Sequence, residues 1–268
     1  MRSAVRVVVT RTNLVGERPR AVGPNPATSG ANVAFGLGQL GVAVTRAGTG
    51  AGAARVARLL QEHRGADLVV IAPDVPWAML GHARECRRLA VPFTADPGPG
   101  VTRTGTEDAR ALIRGAHWLF TGAKERELLL EATGWRREEV LRHVGGWVTT
   151  LGAQGARVES RRFAEIRVPA CEVRRVVDRD GARDAFRAGF VAGVVSALTV
   201  ERAAQLGCAT AGFALESLGA QGYAVPLRAL LARMGSSYGR HVEIELAARI
   251  RKAGPEPESD SNAWIPSV

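Results

Sequence analysis

Lysine is almost missing from this chain of 268 residues. All but Lys124 and Lys252 of its 36 basic residues are arginine. Cysteine is scarce as well. Cys86, Cys171 and Cys208 stand far apart, with no pair at metal-ligand spacing, so buried free thiols fit better than a zinc site or a disulfide framework. The five histidines show no ligand spacing either. Aromatics make up only 5% of the residues and are not interleaved with the charges. The net charge of +10 raises the question of nucleic acid, but the arginines are scattered and paired with acids, as in Arg136-Arg137-Glu138-Glu139. A solvated surface is the better reading, with anionic small molecules second and no nucleic-acid partner. No apolar run is long enough to span a bilayer, and Met1 to Thr10 lacks the shape of a signal peptide. The expectation is a cytoplasmic protein with no membrane partner.

Apolar residues make up 46% of the chain, enough for a sizeable core. The β-branched run Ala4 to Thr10 predicts a buried strand, as does Asp67 to Ala72, and residues 42–47 predict a short strand. Residues 11–29, rich in Gly, Pro and Arg, read as a loop. Helical spacing predicts helices over 31–41, 51–64, 77–89, 106–115, 123–133 and 137–144. Strands are expected at 92–95, 117–121 and 147–151, with an antiparallel pair at 155–160 and 166–168. Further helices are expected over 182–198, 200–217, 226–234 and about 241–252. Strands alternating with helices imply βαβ units, a mostly parallel sheet and helices on both faces. One domain over residues 1–252 is expected, followed by a Pro/Ser-rich tail over 253–268 that reads as disordered.

The most informative stretch is Val176-Val177-Asp178-Arg179-Asp180-Gly181-Ala182-Arg183-Asp184, which feeds an apolar helix. The first N–H groups of a helix lack internal partners and sit at the positive end of its dipole. An anion would be held at Gly181, Ala182 and Arg183. The carboxylate of Asp184 at the same place could take a proton from a neighbouring hydroxyl.

This loop resembles the second signature, D-T-x-G-A-G-D, of the ribokinase (pfkB-type) carbohydrate kinase family. Four other stretches agree in kind and order. Residues 31–41 (ANVAFGLGQLG) resemble the first signature, and Ala95-Asp96-Pro97 resembles a D-P-N strand end. Phe120-Thr121-Gly122-Ala123-Lys124-Glu125 occupies the N-x-x-E position, and residues 148–156 (VTTLGAQGA) resemble the nucleotide-binding T-L-G-x-x-G. Residues 77–223 look closest to bacterial adenosine kinases of this family. The resemblance implies an α/β fold, a ribokinase-like three-layer αβα sandwich. It also implies ATP and Mg²⁺ if kinase activity survives, with no cofactor certain otherwise. Asp184 becomes the base. Thr149, Gly152 and Gly155 become nucleotide contacts, Asn32 and Asn13 substrate contacts, and Glu125 a weak metal-side residue. Plainer readings stand beside these. The two glycines serve as turn formers, Asn32 as a polar helix start, Glu125 as an ordinary helix charge, and Arg183 as a surface ion pair.

The sequence also departs from the pattern. Arg183 replaces a glycine, Gly122 replaces the Asn of N-x-x-E, and Asp180 stands where Thr is usual. No strand pattern appears where family members carry a lid, so the lid is expected to be absent or vestigial. Three functions follow as expectations. The leading one is a repurposed enzyme acting on a small anionic or hydroxylated metabolite by cyclisation or elimination, with Asp184 as base. The second is an ATP-dependent nucleoside or sugar kinase. The third is a non-catalytic scaffold, with a protein partner or a second copy over the face that a lid would cover.

Overall fold

The computed structural model describes residues 6–10, 26–47, 58 and 66–253. Eight strands form one sheet: β1 (Arg6–Thr10), β2 (Ala43–Ala47), β3 (Leu68–Ile71), β4 (Phe93–Ala95), β5 (Trp118–Gly122), β6 (Gly146–Thr150), β7 (Ala156–Glu159) and β8 (Ile166–Val168). Their order is β2-β1-β3-β4-β5-β6-β7-β8. Pairing is parallel from β2 through β6 and antiparallel for β6–β7 and β7–β8.

Strands β1 and β3, inside the sheet, read as continuous apolar runs because both of their faces are covered. Side chains alternate between the two sides. Val7, Val9, Val70, Phe120 and Val148 face one core; Val8, Val69, Ile71, Leu119 and Trp147 face the other. The first core is closed by α1 (Pro26–Gln39) and by four helices from the second half of the chain, α6 (Ala182–Val195), α7 (Val200–Leu215), α8 (Leu227–Tyr238) and α9 (Arg240–Ala253). The second is closed by α2 (Pro76–Arg88), α3 (Thr106–Ile113), α4 (Ala123–Thr133) and α5 (Arg137–His143). This is the three-layer αβα sandwich that the alternation of elements predicts. The three cysteines are free and buried.

Some boundaries differ from the sequence reading, for physical reasons. The first helix begins at Pro26 rather than at residue 31, so Ser29 is helical and buried instead of lying in a loop. Proline is well tolerated in a first turn, where its missing N–H would have no partner anyway. Helix α8 runs past Gly235 to Tyr238, whose hydroxyl donates to the Pro169 carbonyl at 3.0 Å. That tertiary anchor outweighs the weak propensity of Gly235-Ser236-Ser237. The expected helix over 51–64 lies outside the described residues apart from Arg58, which is helical. The expected tail beyond residue 253 and most of the expected 11–29 loop, where a lid would be looked for, also lie outside them. Among the described residues every strand belongs to the one sheet.

Candidate active site

The parallel strands end along one edge of the sheet, where ligands of such folds bind. Asp96 follows β4, Gly122 ends β5 and Thr150 ends β6. Helix α6 delivers its N-terminus to the same edge. Gly181, the residue before it, has φ +75°, and a Cβ there would lie 2.6 Å from Ala220 Cα. Only glycine meets both demands, so the loop can turn tightly into the helix.

On one side of this N-terminus is a compact buried cluster. Asp184 Oδ1 accepts from Ser29 Oγ at 2.5 Å and from Arg187 Nη1 at 2.6 Å; Oδ2 accepts from Asn32 Nδ2 at 2.8 Å. Arg187, three residues along the same helix face, also pairs with Asp96 through its other terminal nitrogen. Asp96 Oδ1 in turn accepts the Gly98 N–H at 2.9 Å. Asn32 Oδ1 accepts from Gln221 Nε2 at 2.9 Å, which ties the cluster to the segment after α7. Burial pushes the Asp96 carboxyl up to about 6, although the Arg187 charge opposes this. The Tyr223 hydroxyl is buried without a hydrogen-bond partner; burial, and then the nearby Asp184 charge, push its pKa up.

On the other side lies a cleft of about 790 Å³. One wall is apolar, formed by Val173, Val176, Cys208, Ala211 and Leu215. The turn after β6, with Thr150, Gly152 and Gly155, forms another wall. Gly155 has φ +85°, and a Cβ there would fall 2.0 Å from the Val168 carbonyl oxygen, so this wall is built around a glycine. The charged residues of the lining are Lys124, Glu125, Arg179 and Arg183. Glu125 Oε2 accepts the Gly122 N–H at 2.7 Å, and Oε1 pairs with the Arg183 guanidinium. Burial works to raise the Glu125 carboxyl, but that N–H and the Arg183 charge together outweigh it and hold the group below its ordinary value.

The residues singled out from sequence therefore fall into separate places. Asp184 and Asn32 meet in the buried cluster. Gly152, Gly155, Ala182, Arg183 and Glu125 line the cleft, and Gly181 stands between. Thr149 points away from the cleft into the interior, where its Oγ1 accepts from Arg126 Nη1 at 3.1 Å; Thr150 is the threonine on the cleft wall. Asn13 lies outside the described residues. Ser29, Arg187 and Gln221 were not anticipated. The Asn25-Pro26 dipeptide, a helix-start signal, would have brought Ser29 into the helix. The lone charge of Arg187 inside the run Ala185-Phe186-Arg187-Ala188 marks it as paired. Gln221 carries no signal, because it reaches the site only through the tertiary fold.

The donor set does not suit a protein-bound divalent ion. Both oxygens of Glu125 are engaged, one of them by a guanidinium, and no group of three or more His, Cys, Asp or Glu side chains converges among the described residues. Mg²⁺ keeps several waters and leans on carboxylates and phosphates. Here the available carboxylate already holds a cation.

The pattern of the pfkB family carbohydrate kinases matches residues 61–227. The chain belongs to this family. A nucleoside kinase from Methanocaldococcus jannaschii is 28% identical over 126 residues, covering 47% of this chain and 41% of the relative. The chain thus matches less than half the length of that relative. The solved structure of the M. jannaschii nucleoside kinase, described as an archaeal member of the ribokinase family, superposes with a TM-score of 0.70 at 18% identity. It covers 86% of this pfkB chain and 98% of its own. A Burkholderia thailandensis nucleoside kinase solved with inosine gives a TM-score of 0.71 at 21% identity, covering 88% and 98%. At these identities the solved structures establish the ribokinase-like fold. No helix among the described residues is long and apolar enough to cross a membrane.

Proposed function

We propose that this chain is an ATP-dependent kinase that phosphorylates a hydroxyl of a nucleoside or a sugar. One observation carries the reading. Adjacent residues at the α6 N-terminus face two different sites, Arg183 the nucleotide-sized cleft and Asp184 the buried polar cluster. Phosphoryl transfer needs that juxtaposition: a nucleotide on one side, an acceptor hydroxyl on the other, and helix N–H groups between them. The apolar wall of the cleft suits a purine or similar base, and Lys124, Arg179 and Arg183 in its lining suit the phosphates. Family membership and the nucleoside kinase relatives support phosphotransfer; cyclisation, elimination and a scaffold role have no such support.

The chemistry then runs as follows. The acceptor hydroxyl gives its proton to Asp184 as its oxygen bonds to the γ-phosphorus. The bond from that phosphorus to the bridging oxygen breaks, and ADP leaves. A carboxylate offers about four acceptor positions. Ser29, Asn32 and Arg187 take three of them, which leaves one for the substrate. Arg187 and Asn32 thereby fix the direction in which Asp184 presents that position. The test is ATP consumption and product formation against a panel of nucleosides and sugars. Asp184→Asn is expected to lower kcat by about 10²- to 10⁴-fold with nucleotide affinity little changed. Turnover unaffected by the substitution, or no acceptor phosphorylated across the panel, would sink the proposal.

A further inference from the structure

We infer that Arg183 takes the place of a divalent cation in this cleft, so that the nucleotide is held by its phosphates without metal. The inference rests on the cleft being the nucleotide site. Four charged side chains line the cleft, Lys124, Arg179, Arg183 and Glu125, and the one carboxylate among them is already committed to Arg183 and to the Gly122 N–H. A divalent ion binding Glu125 here would have to displace a guanidinium and lie beside Lys124 and Arg179. A polyphosphate meets the opposite situation.

The backbone at position 122 is shaped for this arrangement. A Cβ on Gly122 would lie 3.2 Å from Glu125 Oε2 and 3.3 Å from Arg183 Nη1, pressing on both partners of the ion pair. A missing side chain at 122 and a long cationic one at 183 are therefore a matched pair. The space left by the first is filled by the second. These are the two positions where the sequence departs from the Asn and Gly of the family pattern. Their joint departure has one physical account.

The Arg183 side chain is half exposed, so little holds it in a single rotamer. When phosphates enter, its planar fork can turn from the Glu125 carboxylate to the phosphate oxygens, a geometry guanidinium matches well. Glu125 then keeps the Gly122 N–H on Oε2 and the more distant charge of Arg187. Arg183 would then supply to the terminal phosphates the positive charge that an ion supplies elsewhere.

Calorimetric titration of the full chain with ATP, in EDTA and in excess Mg²⁺, tests this. The parent is expected to bind with affinities within about threefold of each other in the two buffers. Arg183→Gly should weaken binding in EDTA by about 10- to 100-fold, the scale of a lost charge-assisted contact. In the double variant Gly122→Asn/Arg183→Gly, Mg²⁺ should restore most of that loss. Thermal unfolding without nucleotide confirms that each variant is folded. ATP binding by the parent only with Mg²⁺, or equal affinity of parent and Arg183→Gly in EDTA, overturns the inference and leaves the kinase reading standing. Absence of ATP binding in both buffers overturns the two together.

Discussion

Arg187 carries its charge in the interior, shared between Asp96 and Asp184 and touched by the Ser29 hydroxyl at 3.2 Å. A buried ion cluster contributes little net stability, because desolvation offsets the attraction, but breaking it is costly. Arg187→Met leaves two buried carboxylates without their cation and is expected to cost about 3–5 kcal/mol in urea unfolding. Adding Asp96→Asn to that variant removes one stranded charge and should recover a large part of the loss. Additive penalties in the double variant would show that the two residues are not coupled. Arg187→Lys retains charge without the fork. It should keep most of the stability while lowering kcat more than it changes KM for ATP, as expected of a positioning residue. The carboxylate of Asp184 was legible in the sequence because a helix start just after a glycine is a local pattern. Its orientation by Asn32 and Ser29 was not, because those residues lie more than 150 positions away.

The turn between β6 and β7 forms one wall of the cleft and also reverses the sheet from parallel to antiparallel pairing. Its two glycines sit in different surroundings. Gly155 has φ +85° and backbone within 2.0 Å of where a Cβ would go, whereas Gly152 has φ +61° with open space around it. Gly152→Ala is therefore expected to cost only the left-handed backbone penalty, about 1–2 kcal/mol. Gly155→Ala must move the segment at Val168 and Pro169 as well and should cost about 3 kcal/mol or more, with weaker nucleotide binding. Paired unfolding curves measure the difference; equal penalties would contradict the packing described. The sequence shows both glycines as turn formers. Only the approach of the Val168 carbonyl separates the one that is replaceable from the one that is not.

For the molecule as a whole, protonation of the site feeds into stability with opposite signs. Burial raises the Asp96 carboxyl to about 6 in the folded chain, above its ordinary value. A group that binds its proton more tightly when folded contributes stability that is full at low pH and is lost as pH rises through its folded value. Glu125 is held below its ordinary value, so its contribution is present above the usual carboxyl range and lost on acidification. The two are separated by comparing the parent with Asp96→Asn. The parent's stability relative to the variant should fall by about 2–3 kcal/mol between pH 4 and pH 6.5 and then level off. A difference that stays flat over that window would mean Asp96 titrates normally.

The alternation of buried strands with amphipathic helices sufficed for the three-layer architecture, since period 2 and period 3.6 are properties of the chain itself. Ordered motifs along that alternation sufficed for the family. Local spacing also placed Gly181 to Asp184 at a helix start. The tertiary structure decided how these pieces meet. It set Arg183 on the cleft beside Glu125 and over the bare Gly122, and put Asp184 in a separate cluster with Ser29, Asn32 and Arg187. Contacts of that kind depend on which strand ends and helix starts are brought to one edge of the sheet. That is fixed by packing across long sequence separations rather than by any local pattern.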